Sequence, residues 1–183
     1  MDQAKQNMQS SCYTICANPR RNTPHDANII IATSPSRINQ NRSRFFAEAK
    51  SKGYGLETYI SSRAMVASEV KLGEKCIIAA GCVIEPFASI AYDTIKWSGS
   101  LLAHHSTVGN HCFFGPRATV CGRVTIEDYS FLGANCTIRD HARISSKSLI
   151  GAGTVIQAYT EASGVYAQSA TLSRDQRSSE IEL

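Results

Sequence analysis

Residues 65–160 read MVASEV KLGEKC IIAAGC VIEPFA SIAYDT IKWSGS LLAHHS TVGNHC FFGPRA TVCGRV TIEDYS FLGANC TIRDHA RISSKS LIGAGT VIQAYT, sixteen hexads without a break. The second position of each hexad is a large apolar residue in every case but Lys96. The sixth position is small throughout, from Val70 and Cys76 to Thr154 and Thr160. Neither a helix period of 3.6 nor strict strand alternation gives one large apolar and one small residue per six. A coil of short strands does. One hexad makes a flat face, three make a triangular coil, and coils stack at a strand spacing of roughly 4.8 Å. The large residue then fills the prism and the small one sits at the tight corner. An ammonium cannot stay unpaired in such an interior, which predicts a seam, an edge or a bulge at Lys96.

The 183 residues allow one domain with a real core and a small appendage. Residues 1–26 are polar, carry Pro19 and Pro24, and read as a poorly ordered leader. Residues 27–64 read as strand, helix and strand: ANIIIAT at Ala27–Thr33, a helical spacing over Ile38–Lys52 closed by Gly53, and GLETYI at Gly55–Ile60. Residues 161–183 leave the register and read as a cap followed by a loose tail. Such a cap is expected, because an open terminal coil exposes strand edges.

Seven cysteines suggest a disulfide framework until they are placed. Cys76, Cys82, Cys112 and Cys136 all fall in the small column, where a thiol is a small buried side chain. Cys12 and Cys16 lack a second pair to complete a zinc site. The odd count and the absence of a signal-peptide pattern point to a reducing cytoplasm. No apolar run approaches the ~18 residues of a membrane span. Net charge is +4, with nine basic and four acidic residues in 1–64. A basic front end suits an anionic ligand such as a nucleotide as well as it suits an ordinary surface. No basic–aromatic stripe points to nucleic acid.

The hexads resemble the left-handed parallel β-helix of the hexapeptide acyltransferases. The segment IIIATSPSRINQNRSRFFAEAKSKGYGLETYISSRA resembles the end of the small nucleotide-sugar-binding domain that precedes the prism in bacterial sugar acetyltransferases. That group comprises the amino-sugar N-acetyltransferases and the sialic-acid O-acetyltransferase-like proteins. WSGSLLAHHSTVGNHCFF is similar to their active-site coil, FLGANCTIRDHARI and LIGAGTVI to their later coils, and GVYAQSA to their exit segment. The front end departs from them: no glycine precedes Gly53, so the first β-α-β portion of the nucleotide-binding fold is absent or replaced. What remains is a truncated β-α-β segment.

The resemblance implies transfer of an acetyl group from acetyl-CoA to an amine or hydroxyl of a sugar or nucleotide sugar, in surface-glycan biosynthesis, by a cytoplasmic homotrimer. Such a reaction needs a base, donors for the developing oxyanion and a track for the pantetheine arm. A thioester is already activated, so no metal is expected. His104, at the fourth hexad position, matches the family's catalytic histidine. His105 takes the place of the carboxylate that orients it in many relatives, and Glu85, nineteen residues before His104, is a geometric candidate for the missing charge. Gly122, eighteen residues after His104, is directly above it and matches the oxyanion donor. Gly115, Gly133 and Gly151 form a stripe, flanked by Ala134 and Ala152 and continued by Gly153, that suits the pantetheine. Trp97, Ser98 and Phe113 match substrate-side positions; the other histidines read as ordinary, His25 in a loop and His111 and His141 on faces. Two rival readings are a non-catalytic trimeric scaffold and a carbonic-anhydrase-type metal enzyme built on His104, His105 and His111.

Overall fold

A computed structural model describes residues 12–16, 28–33, 35 and 37–169. Most of the expected leader, residues 1–26, and the tail beyond residue 169 lie outside the described residues. Three parallel sheets of two-residue strands wind into a left-handed triangular β-helix. Each strand pairs with the strand eighteen residues away, as in Leu101↔Thr119 and Leu102↔Val120. The first face holds the strands from Met65–Val66 to Val155–Ile156, the second those from Lys71–Leu72 to Arg143–Ile144. The third face runs from Tyr59–Ile60 to Val165–Tyr166, so the coil starts one hexad before Met65. Its last strand pairs Val165 with Leu149, a spacing two residues short of the coil length.

The second hexad position points inward as expected. Ile78, Ile84, Leu102, Phe114, Leu132 and Ile150 belong to one continuous buried core. The sixth position is small for a reason beyond space. Its side chain donates to the carbonyl fifteen residues ahead: Ser106 Oγ to Cys121 O at 2.8 Å, Thr94 Oγ1 to Gly109 O at 3.2 Å, Cys112 Sγ to Glu127 O at 3.3 Å. The corner carbonyls thereby gain partners without water. The fifth position takes a left-handed backbone at fourteen successive corners from Lys75 to Gly153, eleven of them not glycine. L-residues adopt that conformation at a cost of roughly 1–2 kcal/mol each. Coil stacking offsets it at twelve of these corners, where the fifth-position N–H donates to the coil below, as His105 does to Pro86 O at 3.3 Å.

Lys96 departs from the expectation. It sits at neither a seam nor a bulge: its strand pairs regularly with Ile77–Ile78 and Phe113–Phe114, and it is 0% exposed inside the prism. Its Nζ lies 4.0 Å from the Phe114 ring centroid and has no hydrogen-bond partner among the described residues. Burial acts on the charge instead of on the position: it pushes the Lys96 pKa down to about 7.

The front segment packs on the third face. Strand β1 (Cys12–Cys16), within the expected leader, pairs antiparallel with β2 (Asn28–Thr33), and β2 pairs parallel with β3 (Gly55–Leu56). Helix α1 (Gln40–Ser51) connects β2 to β3. The expected strand GLETYI is therefore divided: Gly55–Leu56 serves the front sheet and Tyr59–Ile60 serves the prism. Ile30 and Phe131 pack against the cluster formed by the outward side chains of Ile77, Ile95 and Phe113, which explains why this face is apolar on both sides.

Candidate active site

Three edges separate the faces, and each collects one column of side chains every eighteen residues. His104 and His105 are exposed on the edge between the first and second faces. His104 Nδ1 lies 3.1 Å from His105 Nδ1, so one ring donates and the other accepts. The His104 backbone N–H donates to Glu85 Oε2 at 2.9 Å. Glu85 thus fixes the main chain under His104 and not the imidazole, whose ring partner is His105. The His105 ring leans on Phe87 with centroids 5.1 Å apart, and its backbone is left-handed with φ 58°.

Gly122 is one coil above, against the flat of the His104 ring. A Cβ there would lie 2.7 Å from His104 Cε1 and 2.9 Å from Nε2. The missing side chain therefore makes room for the imidazole. The Gly122 N–H is engaged, donating to Asp140 Oδ1 at 3.0 Å. An oxyanion role for that N–H requires the Asp140 carboxylate to give it up.

Trp97, Gly115, Gly133 and Gly151 form a column beside the edge between the third and first faces, with Ser98 and Gly153 on the edge itself. Trp97 and Ser98 are exposed. A Cβ on Gly115 would lie 2.6 Å from the Ala134 nitrogen, and one on Gly133 2.6 Å from the Ala152 nitrogen. The glycines thus keep space open around two N–H groups that donate to no backbone acceptor in the described structure. Gly153 is a corner glycine with φ 69°.

The structure does not bring Phe113 to either group. It is 8% exposed on the third face, stacked on Phe131 with centroids 5.1 Å apart, beneath the front segment. Nor are His104, His105 and His111 brought together: the first two share one edge and His111 lies on another, engaged by Asp93. No group of three His, Cys, Asp or Glu side chains among the described residues is placed to hold a metal.

Sequence reasoning missed a buried polar cluster on the edge between the second and third faces. Arg42 of α1 donates Nε to Asp93 Oδ1 and Oδ2 at 3.2 and 3.1 Å, and Nη2 to Asp93 O at 2.7 Å and Cys112 O at 3.0 Å. His111 Nδ1 meets Asp93 Oδ2 at 2.6 Å. The His111 ring stacks on Tyr129 and meets Phe46 and Tyr92 edge-on. The one signal in the sequence was the eighteen-residue spacing of Asp93 and His111, which puts them on adjacent coils of one edge.

The family described as bacterial transferase hexapeptide (six repeats) matches residues 105–140, and that described as hexapeptide repeat of succinyl-transferase matches residues 62–86 and 123–158. No curated protein matches. Among solved structures, PerB from Caulobacter crescentus in complex with CoA and GDP-perosamine is 26% identical, with a TM-score of 0.66 over 70% of this chain and 60% of that one. A histidine-to-asparagine variant of perosamine N-acetyltransferase from the same organism, with the same two ligands, is 25% identical at a TM-score of 0.68, over 69% of this chain and 60% of that one. The acetyltransferase domain of PglB from Neisseria gonorrhoeae, 21% identical over 67% of this chain and 60% of that one, shares the fold at a TM-score of 0.65. The chain thus spans about 60% of the length of these structures. Hexad sequence, coil geometry and these matches together make the chain a hexapeptide-repeat β-helix protein that matches the sugar acetyltransferases of that group.

Proposed function

We propose that the protein transfers an acetyl group from acetyl-CoA to an amine or hydroxyl of a sugar or nucleotide sugar, with His104 as the general base. The observation that carries this reading is the His104 ring itself, with Nδ1 held by His105 and Nε2 beside a glycine that leaves it room. The binding of CoA and GDP-perosamine by PerB supports the choice of donor and acceptor class.

The thioester supplies an activated acetyl group. The chain supplies proton handling and placement. With a proton on His104 Nδ1 donated to His105 Nδ1, the lone pair of His104 is on Nε2. That nitrogen takes the acceptor's proton during attack and returns it to the departing thiolate. His105 replaces a carboxylate with a neutral acceptor, which orients the base while stabilising its imidazolium less than a charge does. The Ala134 and Ala152 N–H groups, opened by Gly115 and Gly133, suit the carbonyl oxygens of a pantetheine arm.

The His104 edge and the glycine column are on different prism edges. A single chain separates them by the width of its first face. A threefold assembly that sets one copy's glycine column against the next copy's His104 edge completes the site, and Trp97 and Ser98 then border it. We place the enzyme in the cytoplasm, in surface-glycan biosynthesis.

The test is thiol release from acetyl-CoA against a panel of amino sugars and nucleotide sugars. His104→Ala is expected to lower kcat by about 10²–10⁴-fold with coenzyme A affinity little changed. Activity within a fewfold of wild type removes His104 from this role. Absence of any coenzyme A binding by calorimetry returns the protein to the scaffold reading.

A further inference from the structure

Lys96 is a large buried side chain that the chemistry above does not use. Its position is the interior column of the prism, with Ile78 one coil below and Phe114 one coil above. Both flanking pairings are regular, so the coil has made no accommodation in its backbone. The amine is fully buried, has no hydrogen-bond acceptor among the described residues, and meets the Phe114 ring on one side.

The titratable groups that act on Lys96 are Cys82 and Cys136. Neither offers a ready counter-charge. Burial pushes the Cys136 thiol up to about 12, and the Cys82 Sγ is occupied at 3.2–3.4 Å with Trp97 O, Lys96 O and Ser100 Oγ. Among the described residues the Lys96 Nζ has neither a hydrogen-bond nor an ion-pair partner. A neutral amine in this position packs as a long apolar side chain ending in a weak dipole. An ammonium there has an aromatic face and nothing else.

We propose that Lys96 is a proton-operated weak point of the prism: with a neutral amine its coil packs as an ordinary hexad, and protonation loosens that coil. The affected coil also carries Trp97 and Ser98, and its carbonyls at Lys96 and Trp97 receive the Cys82 thiol. Loosening therefore reaches the edge that bears the glycine column. The proposal is thermodynamic and independent of any catalytic role for the chain.

The sign follows from linkage. The folded amine titrates near pH 7 because burial penalises its charge, whereas an unfolded lysine titrates near 10.4. Between these values the unfolded chain binds a proton that the folded chain does not, so stability rises with pH across that window. Below pH 7 both states are protonated and the penalty is complete. Above about 10.4 it is gone.

Urea titrations of the full chain at one fixed protein concentration compare wild type with Lys96→Met. The ratio of the wild-type unfolding constant to that of the variant is expected to fall roughly 50-fold between pH 7 and pH 9. A ratio constant within threefold overturns the proposal. A second measurement needs no variant: in folded protein with ¹⁵N-labelled lysine, the Lys96 Nζ resonance is expected to titrate with a midpoint near pH 7. A midpoint above pH 10 overturns the proposal, whatever the variant does.

Discussion

The clamp between α1 and the prism gives a sharp energetic test. Arg42 and Asp93 are both buried, and the guanidinium satisfies the carboxylate as well as the Asp93 and Cys112 carbonyls. Arg42→Met keeps most of the stem and removes the charge. Asp93 is then left with His111 as its side-chain partner, and the two carbonyls lose their Nη2 donor. Breaking a buried pair from one side costs about 3–5 kcal/mol, a shift of roughly two to nearly four decades in the unfolding constant. Urea denaturation at fixed protein concentration measures it, and amide exchange across α1 shows whether the loss begins at the helix. In the double variant Arg42→Met/Asp93→Asn the stranded charge is gone, so part of the loss returns, with a coupling of about 0.5–3 kcal/mol. A loss below about 1 kcal/mol in Arg42→Met refutes the reasoning, because a buried carboxylate deprived of its guanidinium cannot be that cheap.

Gly122→Ala is expected to lower kcat at least about tenfold while circular dichroism stays that of the wild type, since a methyl 2.7 Å from His104 Cε1 displaces the ring and not the coil. Lys147, exposed at a left-handed corner with φ 59°, tests the corner cost. Thermal or urea denaturation should find Lys147→Gly more stable by about 0.5–1 kcal/mol, and Lys147→Val less stable by at least about 1 kcal/mol. Equal stability of the two variants would show that coil stacking does not force the backbone there.

The coil was legible because it is written at short range. One inward residue and one small residue per hexad are local constraints, repeated often enough that Lys96 does not obscure them. Lys96 itself was misplaced because the sequence argument treated its charge as fixed, while the folded interior moves the proton instead. The corners hid their backbone. Phe87, Asp93, His105, Arg117 and Tyr129 are poor advertisements for a left-handed conformation, since stacking imposes it and residue type does not. Of the site, the stacking of His104 under Gly122 was readable from their eighteen-residue spacing. The partner of the Gly122 N–H was not, because Asp140 holds it from a further coil. The burial of Phe113 was unreadable for a related reason: its outward position meets solvent on a bare prism but the front segment here. The Arg42 clamp spans 51 and 70 residues of sequence, beyond any local pattern.

The eighteen-residue step that stacks Asn110 under Asp128 and His104 under Gly122 also sets the grammar by which this chain can change length. Eighteen inserted residues lengthen the prism by one rung and leave every downstream column on its own edge. Six inserted residues fit the hexad equally well, yet they rotate everything that follows by a third of a turn. Placed between His104 and Gly122, such an insertion keeps a well-formed coil and carries the glycine to a different edge. Length variation is therefore quantised twice, in sixes for folding and in eighteens for the site.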